Sequence, residues 1–202
     1  MIAEQASLPP AVRIETPAAQ LDLEVVAKAL EAVSGEIVLE KLIQVLMTIA
    51  VEQAGAERGI LVLRRGEEHR IEAEAWSRRD QVEVQLRQAL VTPCDLPESL
   101  FRHVVRTQQS VVLEGVSNQR PFSEDPYLVQ RRPTSALCVP LAKQSKLVGV
   151  LYLEQNSAPR VFMAKRRALL ELLASQAAIS LDHAQLYADL TRLNAELTAA
   201  KQ

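Results

Sequence analysis

Residues 135–162 have the sequence SALCVPLAKQSKLVGVLYLEQNSAPRVF, and this stretch decides the fold. Two apolar runs, residues 135–141 and 146–154, are separated by a short polar turn, which predicts a β-hairpin. The second run is apolar on both of its alternating faces, so the sheet must be covered on both sides. Pro140 lacks a backbone N–H and indicates a strand end or a sheet edge, while Gly149 permits the close approach of a neighbouring strand or helix.

Periodicity extends the prediction along the chain. Apolar residues at helical spacing predict helices over residues 21–33, 38–53, 97–107 and from about Val161 to the end. Alternating or short apolar runs predict further strands over residues 58–64, 70–76, 82–86 and 110–114. A polar loop with several prolines follows Glu114 and is expected to contain one short helix near Tyr127. The fold class is therefore α+β: an antiparallel sheet of about six strands, with the terminal helices on one face and the middle helix and long loop on the other.

Composition excludes several classes of function. The formal net charge is -2, and no basic stripe marks a nucleic-acid or anionic-membrane partner. Charged or amide side chains interrupt each apolar stretch well before the ~18 residues that a membrane span needs, and the N-terminus lacks the layout of a signal peptide. We therefore expect no nucleic-acid partner, no membrane insertion and a cytoplasmic location. Cys94 and Cys138 are far apart and fit neither a disulfide framework nor a zinc site.

Three motifs occur in the order and at the separations of a known domain family. They are the strand S-x-L-x-V-P-L, the strand G-V-L-Y-L-E and the helix L-A-S-Q-A-A-I-S-L. Together with LLASQAAISLDHAQLY, the opening stretch resembles the C-terminal half of a GAF domain, and LDLEVVAKALEAVSGEIVLEKLIQVLMTIAVEQAGAERGILVL resembles its beginning. More closely, the chain is similar to the GAF modules of large bacterial and cyanobacterial signalling proteins that join a serine/threonine-kinase-like region and an ATPase region to a sensor histidine kinase.

This resemblance implies a regulatory input domain of a two-component signalling protein, with covalently linked kinase domains in the full-length protein and no catalysis by the domain itself. The predicted organisation is a linker or disordered arm over residues 1–20, the GAF domain over residues 21–187 and the start of a coiled-coil output linker over residues 188–202. The last helix has no Gly or Pro stop signal, so we expect the native polypeptide to continue into its effector.

GAF domains generally bind small molecules between the sheet and the middle helix and loop. The corresponding candidate residues are Phe101, His103, Phe122, Tyr127, Cys138 and Tyr152. Phe122 and Tyr127 are aromatic residues in an otherwise polar loop, so we expect them to fold back onto the sheet. They either line a ligand pocket or plug it, since a pocket without a ligand also needs an apolar cover. The identity of a ligand stays open, and no covalently bound cofactor is expected.

The cyclic-nucleotide motif of this family is Asn-Lys, then Phe, then an acidic pair four residues beyond the Phe. This chain has Gln155-Asn156 and Phe162, but Arg166-Arg167 stand where the acidic pair belongs. The reversed charge disfavours cyclic-nucleotide binding by that mechanism.

Other cofactors and an enzymatic role are also disfavoured. Bilin attachment uses a Cys often followed by His, whereas Cys94 precedes Asp95 and Cys138 precedes Val139. A methionine-sulfoxide reductase of this fold needs clustered cysteines, which are absent. A haem or metal site needs convergent ligands, so His103 could act only as a lone axial ligand.

The last helix carries two apolar stripes. The inner stripe should pack on the sheet and consists of Leu169, Leu173, Ala177, Leu181, Ala184 and Ala188. The other stripe is a heptad seam, spaced 4-3-4-3-4-3-4. The seam consists of Leu172, Gln176, Ile179, His183, Leu186, Leu190, Leu193 and Leu197. Exposed leucines at this spacing predict a homodimer through the terminal helices, with a parallel two-stranded coil as the simplest arrangement. The segment around His183 lacks the phospho-acceptor pattern of histidine kinases. Two functions stay open: a regulatory module that responds to a ligand, and a ligand-free dimerisation and spacer module.

Overall fold

The computed structural model of the chain describes residues 17–79, 81–115, 120–157, 162 and 164–200. The helices are α1 (Pro17–Gly35), α2 (Leu39–Ala54), α3 (Glu98–Thr107), α4 (Pro126–Arg131) and α5 (Ala164–Ala199), with a 3-10 helix at Phe122–Glu124. The strands are β1 (Arg58–Arg65), β2 (Glu68–Arg78), β3 (Gln81–Leu90), β4 (Val111–Glu114), β5 (Ser135–Lys143) and β6 (Lys146–Gln155). The predicted order of elements, including the short helix near Tyr127, is confirmed.

The six strands form one sheet in the order β3-β2-β1-β6-β5-β4, and each neighbouring pair is antiparallel. The predicted hairpin of β5 and β6 lies near its centre. Pro140 lies two residues beyond Cys138, where the pairing of β5 with β4 ends, as a residue without an N–H should. A Cβ on Gly149 would lie 2.3 Å from the carbonyl oxygen of Val62, so the predicted close approach is made by the backbone of β1.

Both faces of the sheet are covered, as the apolar pattern of β6 requires. On one face, α1, α2 and α5 bury side chains that include Val33, Leu46 and Leu173. On the other face, α3, the 3-10 helix and α4 bury a second core that includes Leu100 and Leu128. The α+β class and the two-layer covering predicted from sequence are therefore confirmed, and the second core is the one that contains the candidate pocket residues.

The terminal helices differ from the prediction at two points. Helix α1 begins at Pro17, four residues before the predicted start of order, while residues 1–16 of the predicted linker lie outside the described residues. On α5, Leu173, Ala177, Leu181 and Ala184 of the predicted inner stripe are buried. Ala188 was expected to continue that stripe but is exposed, because α5 has left the domain body at that point. None of the helices in the described ranges combines the length and hydrophobicity that crossing a bilayer requires.

Candidate functional site

The six predicted pocket residues meet on the face covered by α3 and α4. Phe101, Phe122, Tyr127, Cys138 and Tyr152 are all buried, and His103 is half-buried. The rings pack edge to face: the centroids of His103 and Phe122 are 5.4 Å apart, and those of Tyr127 and Tyr152 are 6.3 Å apart. These side chains fill the space between the sheet and its cover, which is the arrangement expected of a plug. Binding of a small molecule at this face stays a prediction.

A buried charged network lies at one end of this face and was not predicted. Its centre is Arg58, the first residue of β1, which is 8% exposed. The Arg58 guanidinium contacts Glu74 of β2 at 2.6 Å and donates to the Asp95 carbonyl oxygen at 3.0 Å. Its Nη1 also donates to the Tyr127 hydroxyl at 2.5 Å and lies 3.4 Å from Glu154 Oε1. One guanidinium thus joins two neighbouring strands, the loop after β3 and helix α4.

Glu154, near the end of β6, is the second centre of the network and is 1% exposed. Its Oε2 accepts hydrogen bonds from the hydroxyls of Tyr127, at 2.7 Å, and Tyr152, at 2.9 Å. Burial, followed by the nearby Glu154 carboxylate, raises the pKa of both phenols. Tyr127 and Tyr152 therefore stay protonated at neutral pH and act as hydrogen-bond donors to Glu154.

Arg87 and Asp95 extend the network towards β3. Arg87 Nη1 lies 2.9 Å from Asp95 Oδ1 and 3.3 Å from Glu74 Oε2. Burial alone would raise the pKa of Asp95, but hydrogen bonds from Thr92 and Arg87 outweigh it and lower that pKa. The five charged groups comprise three carboxylates and two guanidiniums, and the two tyrosine hydroxyls supply further donors. Unlike an isolated buried charge, each group has partners, so the network is compatible with a stable core.

A weak sequence signal existed for this network. Glu154 directly follows the apolar run of β6, and Arg58 directly precedes that of β1. Periodicity places these residues at strand ends but does not identify partners that lie 16 and 96 positions away. In the sequence, Asp95 stands out only as the neighbour of Cys94.

The cysteines and histidines have separate locations. Cys138 is buried, and burial raises the pKa of its thiol, which disfavours the nucleophilic thiolate. Cys94 is exposed. His69 packs edge to face on Phe101, with ring centroids 5.4 Å apart. Within the described ranges, no three His, Cys, Asp or Glu side chains converge as a metal site would require.

The segment aligned with the cyclic-nucleotide motif makes contacts within the domain. Phe162 is buried in the core under the terminal helices, on the opposite side of the sheet from the candidate pocket. Asn156 Nδ2 donates to Glu57 Oε2 at 3.1 Å. Arg166 donates to the Ala54 carbonyl oxygen at 3.3 Å, and Arg167 pairs with Glu171 at 2.8 Å. Asn156 and Arg166 therefore connect the end of β6 and the start of α5 to the segment from the end of α2 to β1.

The predicted seam is exposed along α5. Leu172, Ile179, Leu186, Leu190, Leu193 and Leu197 have exposed fractions between 38% and 60%. His183 is also exposed, and its Nε2 lies 3.4 Å from Lys143 Nζ. The inner face of the same helix packs on the sheet, so α5 presents one face to the domain core and an apolar stripe to the outside. Self-association through that stripe stays a prediction.

Comparison with known proteins gives a consistent result. The sequence profile of the GAF domain matches residues 38–181. Among curated proteins, the chain is 35% identical over 104 residues to hybrid signal transduction histidine kinase G of Dictyostelium discoideum, covering 52% of this chain and 3% of that protein. It is 24% identical over 184 residues to histidine protein kinase 1 of Candida albicans, covering 87% of this chain and 7% of that protein. The chain therefore spans a small part of each of these relatives, and both come from eukaryotes.

Solved structures show the same fold. The GAF domain of a phosphoenolpyruvate-protein phosphotransferase from Acinetobacter matches with a TM-score of 0.62 at 16% identity, covering 84% of this chain and 98% of that one. The photosensory core module of a Stigmatella aurantiaca phytochrome matches with a TM-score of 0.67 at 18% identity, covering 95% of this chain and 42% of that one.

Proposed function

Because this chain belongs to the GAF domain family, we propose that it is the sensory and regulatory domain of a signal-transduction protein and controls a covalently linked kinase through its terminal helices. The curated relatives described above are histidine kinases, which supports this setting. A cytoplasmic location and a two-component system are part of the same proposal. The eukaryotic relatives mean that a bacterial origin stays a prediction.

The main support for this proposal is that α5 packs one face against the domain core and exposes the leucine seam on another face. This helix of 36 residues packs Leu173, Ala177 and Leu181 into the domain core and exposes the leucine seam on its other side. A displacement of the sheet or its core side chains therefore acts on the same rigid element that carries the seam. In a parallel dimer, the seam would convert that displacement into a change of helix geometry beyond the domain.

The second candidate function is a ligand-free dimerisation and spacer module. It is favoured by the close packing of Phe122, Tyr127 and Tyr152 and by the satisfied hydrogen bonds of Glu154. In that case the face under α3 and α4 is simply a core, and the seam provides dimerisation without regulation by a small molecule.

Native mass spectrometry combined with a thermal-shift screen against a broad metabolite panel separates the two functions. Ligand regulation predicts a co-purified or stabilising molecule whose effect is lost in Ala136→Leu, because Ala136 is buried in the core under α4 and a larger side chain would occupy that space. The matched control Ala32→Leu lies at an exposed position of α1 and should retain the effect. A panel without any stabilising molecule would leave the spacer function.

A further inference from the structure

Helix α4 and the 3-10 helix before it, residues 122–131, form a short cover over the sheet, where Tyr127 contacts β1 and β6. Three hydrophobic side chains of this cover, Phe122, Tyr127 and Leu128, are buried in the core beneath it. The cover is small compared with α5, and α4 itself has six residues. Short elements with few buried side chains belong to the least stable parts of a fold, so the cover is a candidate for local opening.

Both ends of the cover are anchored. At its N-terminal side, the Asp125 carboxylate accepts hydrogen bonds from the backbone N–H and the hydroxyl of Ser99 on α3, at 2.8 and 2.6 Å. At its C-terminal side, Arg132 takes a left-handed conformation with φ 47° and ends α4. Thr134 then donates to the Gln155 carbonyl oxygen at 2.8 Å and accepts from Gly115 N–H at 3.0 Å. Anchored ends on either side of residues 126–132 define a segment that can move while its attachments stay in place.

Between these anchors, the Tyr127 hydroxyl connects α4 to the sheet. It donates to Glu154 Oε2 at 2.7 Å and accepts from Arg58 Nη1 at 2.5 Å. The sheet side keeps other partners when this hydroxyl leaves, because Glu154 retains the Tyr152 hydroxyl and Arg58 retains Glu74 and the Asp95 carbonyl oxygen. A water molecule can take the place of one hydroxyl oxygen, whereas separating a buried ion pair would leave a charge without a partner. Opening at Tyr127 therefore breaks the network at its least costly point.

We propose that the Tyr127 hydroxyl is a latch, and that its hydrogen bonds with Glu154 and Arg58 set how often α4 opens away from the sheet. The latch deepens the proposed function and rests on it, since an opened α4 would give a regulating molecule access to the face beneath. The fold provides an internal comparison, because Tyr127 and Tyr152 donate to the same carboxylate oxygen but only Tyr127 belongs to α4.

Hydrogen exchange of the whole chain, read by mass spectrometry, tests the latch in Tyr127→Phe and in the matched control Tyr152→Phe. Loss of a hydrogen bond to a charged group should accelerate exchange of α4 amides by about ten- to a hundredfold in Tyr127→Phe. Amides of β5 and β6 should keep their wild-type rates, and α4 should keep its rate in Tyr152→Phe. Unchanged α4 exchange in Tyr127→Phe, or equal acceleration in the two variants, would overturn the latch. Equal acceleration of hydrogen exchange in α4 and in strands β5 and β6 would also overturn the latch, because it would indicate global destabilisation.

A measurement on the wild-type protein keeps the proposal testable if a variant fails to fold. Hydrogen exchange can be measured over a series of urea concentrations below the unfolding transition. The opening free energy of α4 amides should be smaller than that of β6 amides and should depend less on urea. A single opening free energy shared by α4 and β6 would contradict the latch. The outcome is independent of the metabolite screen: absence of a ligand refutes ligand regulation, while absence of local opening refutes the latch.

Discussion

Lys143 and Asp182 join the tip of the β5–β6 hairpin to helix α5. Lys143 Nζ lies 3.0 Å from Asp182 Oδ2, and Lys146, at the other side of the same turn, lies 2.8 Å from Oδ1. The hairpin carries Cys138 and Tyr152 of the candidate site, and Asp182 directly precedes His183 of the seam. This ion-pair cluster is thus a direct physical link between the sheet and the helix that is proposed to transmit the signal.

The link predicts an acid-dependent loss of stability. Hydrogen bonds from Lys146 and Lys143 lower the pKa of Asp182. A carboxyl group whose pKa is lowered by folding stabilises the fold above its unfolded-state pKa of about 3.9, and this stabilisation is lost as pH falls through the folded-state value. Because the lysine side chains are partly exposed, we expect the Asp182 ion pairs to contribute about 0.5–1 kcal/mol to the free energy of unfolding at pH 7.

Urea unfolding at pH 7 and at pH 3 measures this contribution. Asp182→Asn should lower the free energy of unfolding at pH 7 and have a smaller effect at pH 3. Glu67→Gln is the control, since the Glu67 side chain is 98% exposed and should change neither value measurably. Equal effects of Asp182→Asn at both pH values would show that the lysine contacts do not stabilise the fold.

Gly149 should tolerate no side chain. In Gly149→Ala the new Cβ would meet the Val62 carbonyl oxygen and the Leu63 side chain at 2.3 and 2.7 Å, at the last pair of the β1–β6 ladder. We expect a loss of about 3 kcal/mol or more in the free energy of unfolding, or failure to fold. Gly35→Ala is the matched control, because a Cβ there meets no atom within 4 Å, and its unfolding midpoint in urea should stay equal or rise. Similar midpoints for the two variants would refute the close approach.

The two cysteines should differ in reactivity. With a chromogenic disulfide reagent at pH 8, the exposed Cys94 should react rapidly in the folded protein, whereas the buried Cys138 should react much more slowly, as its core opens. Cys94→Ser should therefore abolish the fast phase, and Cys138→Ser should leave it intact. A fast phase that survives Cys94→Ser would mean that the second core opens to solvent far more often than its packing indicates.

Much of the fold could be predicted because it follows from local spacing. The spacing of apolar residues along a strand or helix determines which face each side chain occupies. This spacing predicts the hairpin of β5 and β6, the covering of both sheet faces and the two stripes of α5. The buried charged network could not be predicted in this way, because its contacts depend on which strands become neighbours. Arg58, Glu74 and Glu154 meet only because β1 pairs with both β2 and β6, and nothing near any one of them in the sequence names the other two.

The sequence suggests which residues belong to the candidate site, but it does not say whether they line a ligand pocket or fill it. Phe101, Phe122, Tyr127, Cys138 and Tyr152 share one core. Whether they surround a ligand or replace it depends on side-chain packing and on the partners of Tyr127, which have no periodic signature. The prediction that Ala188 packs on the sheet was wrong. The apolar periodicity continues along α5 after the helix has passed the end of the domain body, so Ala188 is exposed.

Signal transmission by α5, as proposed above, requires a seam between two copies of the chain. Multi-angle light scattering of the wild-type chain should give the mass of a dimer. Leu190→Ser, Leu193→Ser and Leu197→Ser combined should give the mass of a monomer, because these three side chains are 49–60% exposed and occupy successive seam positions. The control Ala188→Ser with Ala195→Ser changes exposed positions of the same helix outside the seam and should remain dimeric. A monomeric wild type, or a triple variant that remains dimeric, would show that the seam does not join two copies of the chain.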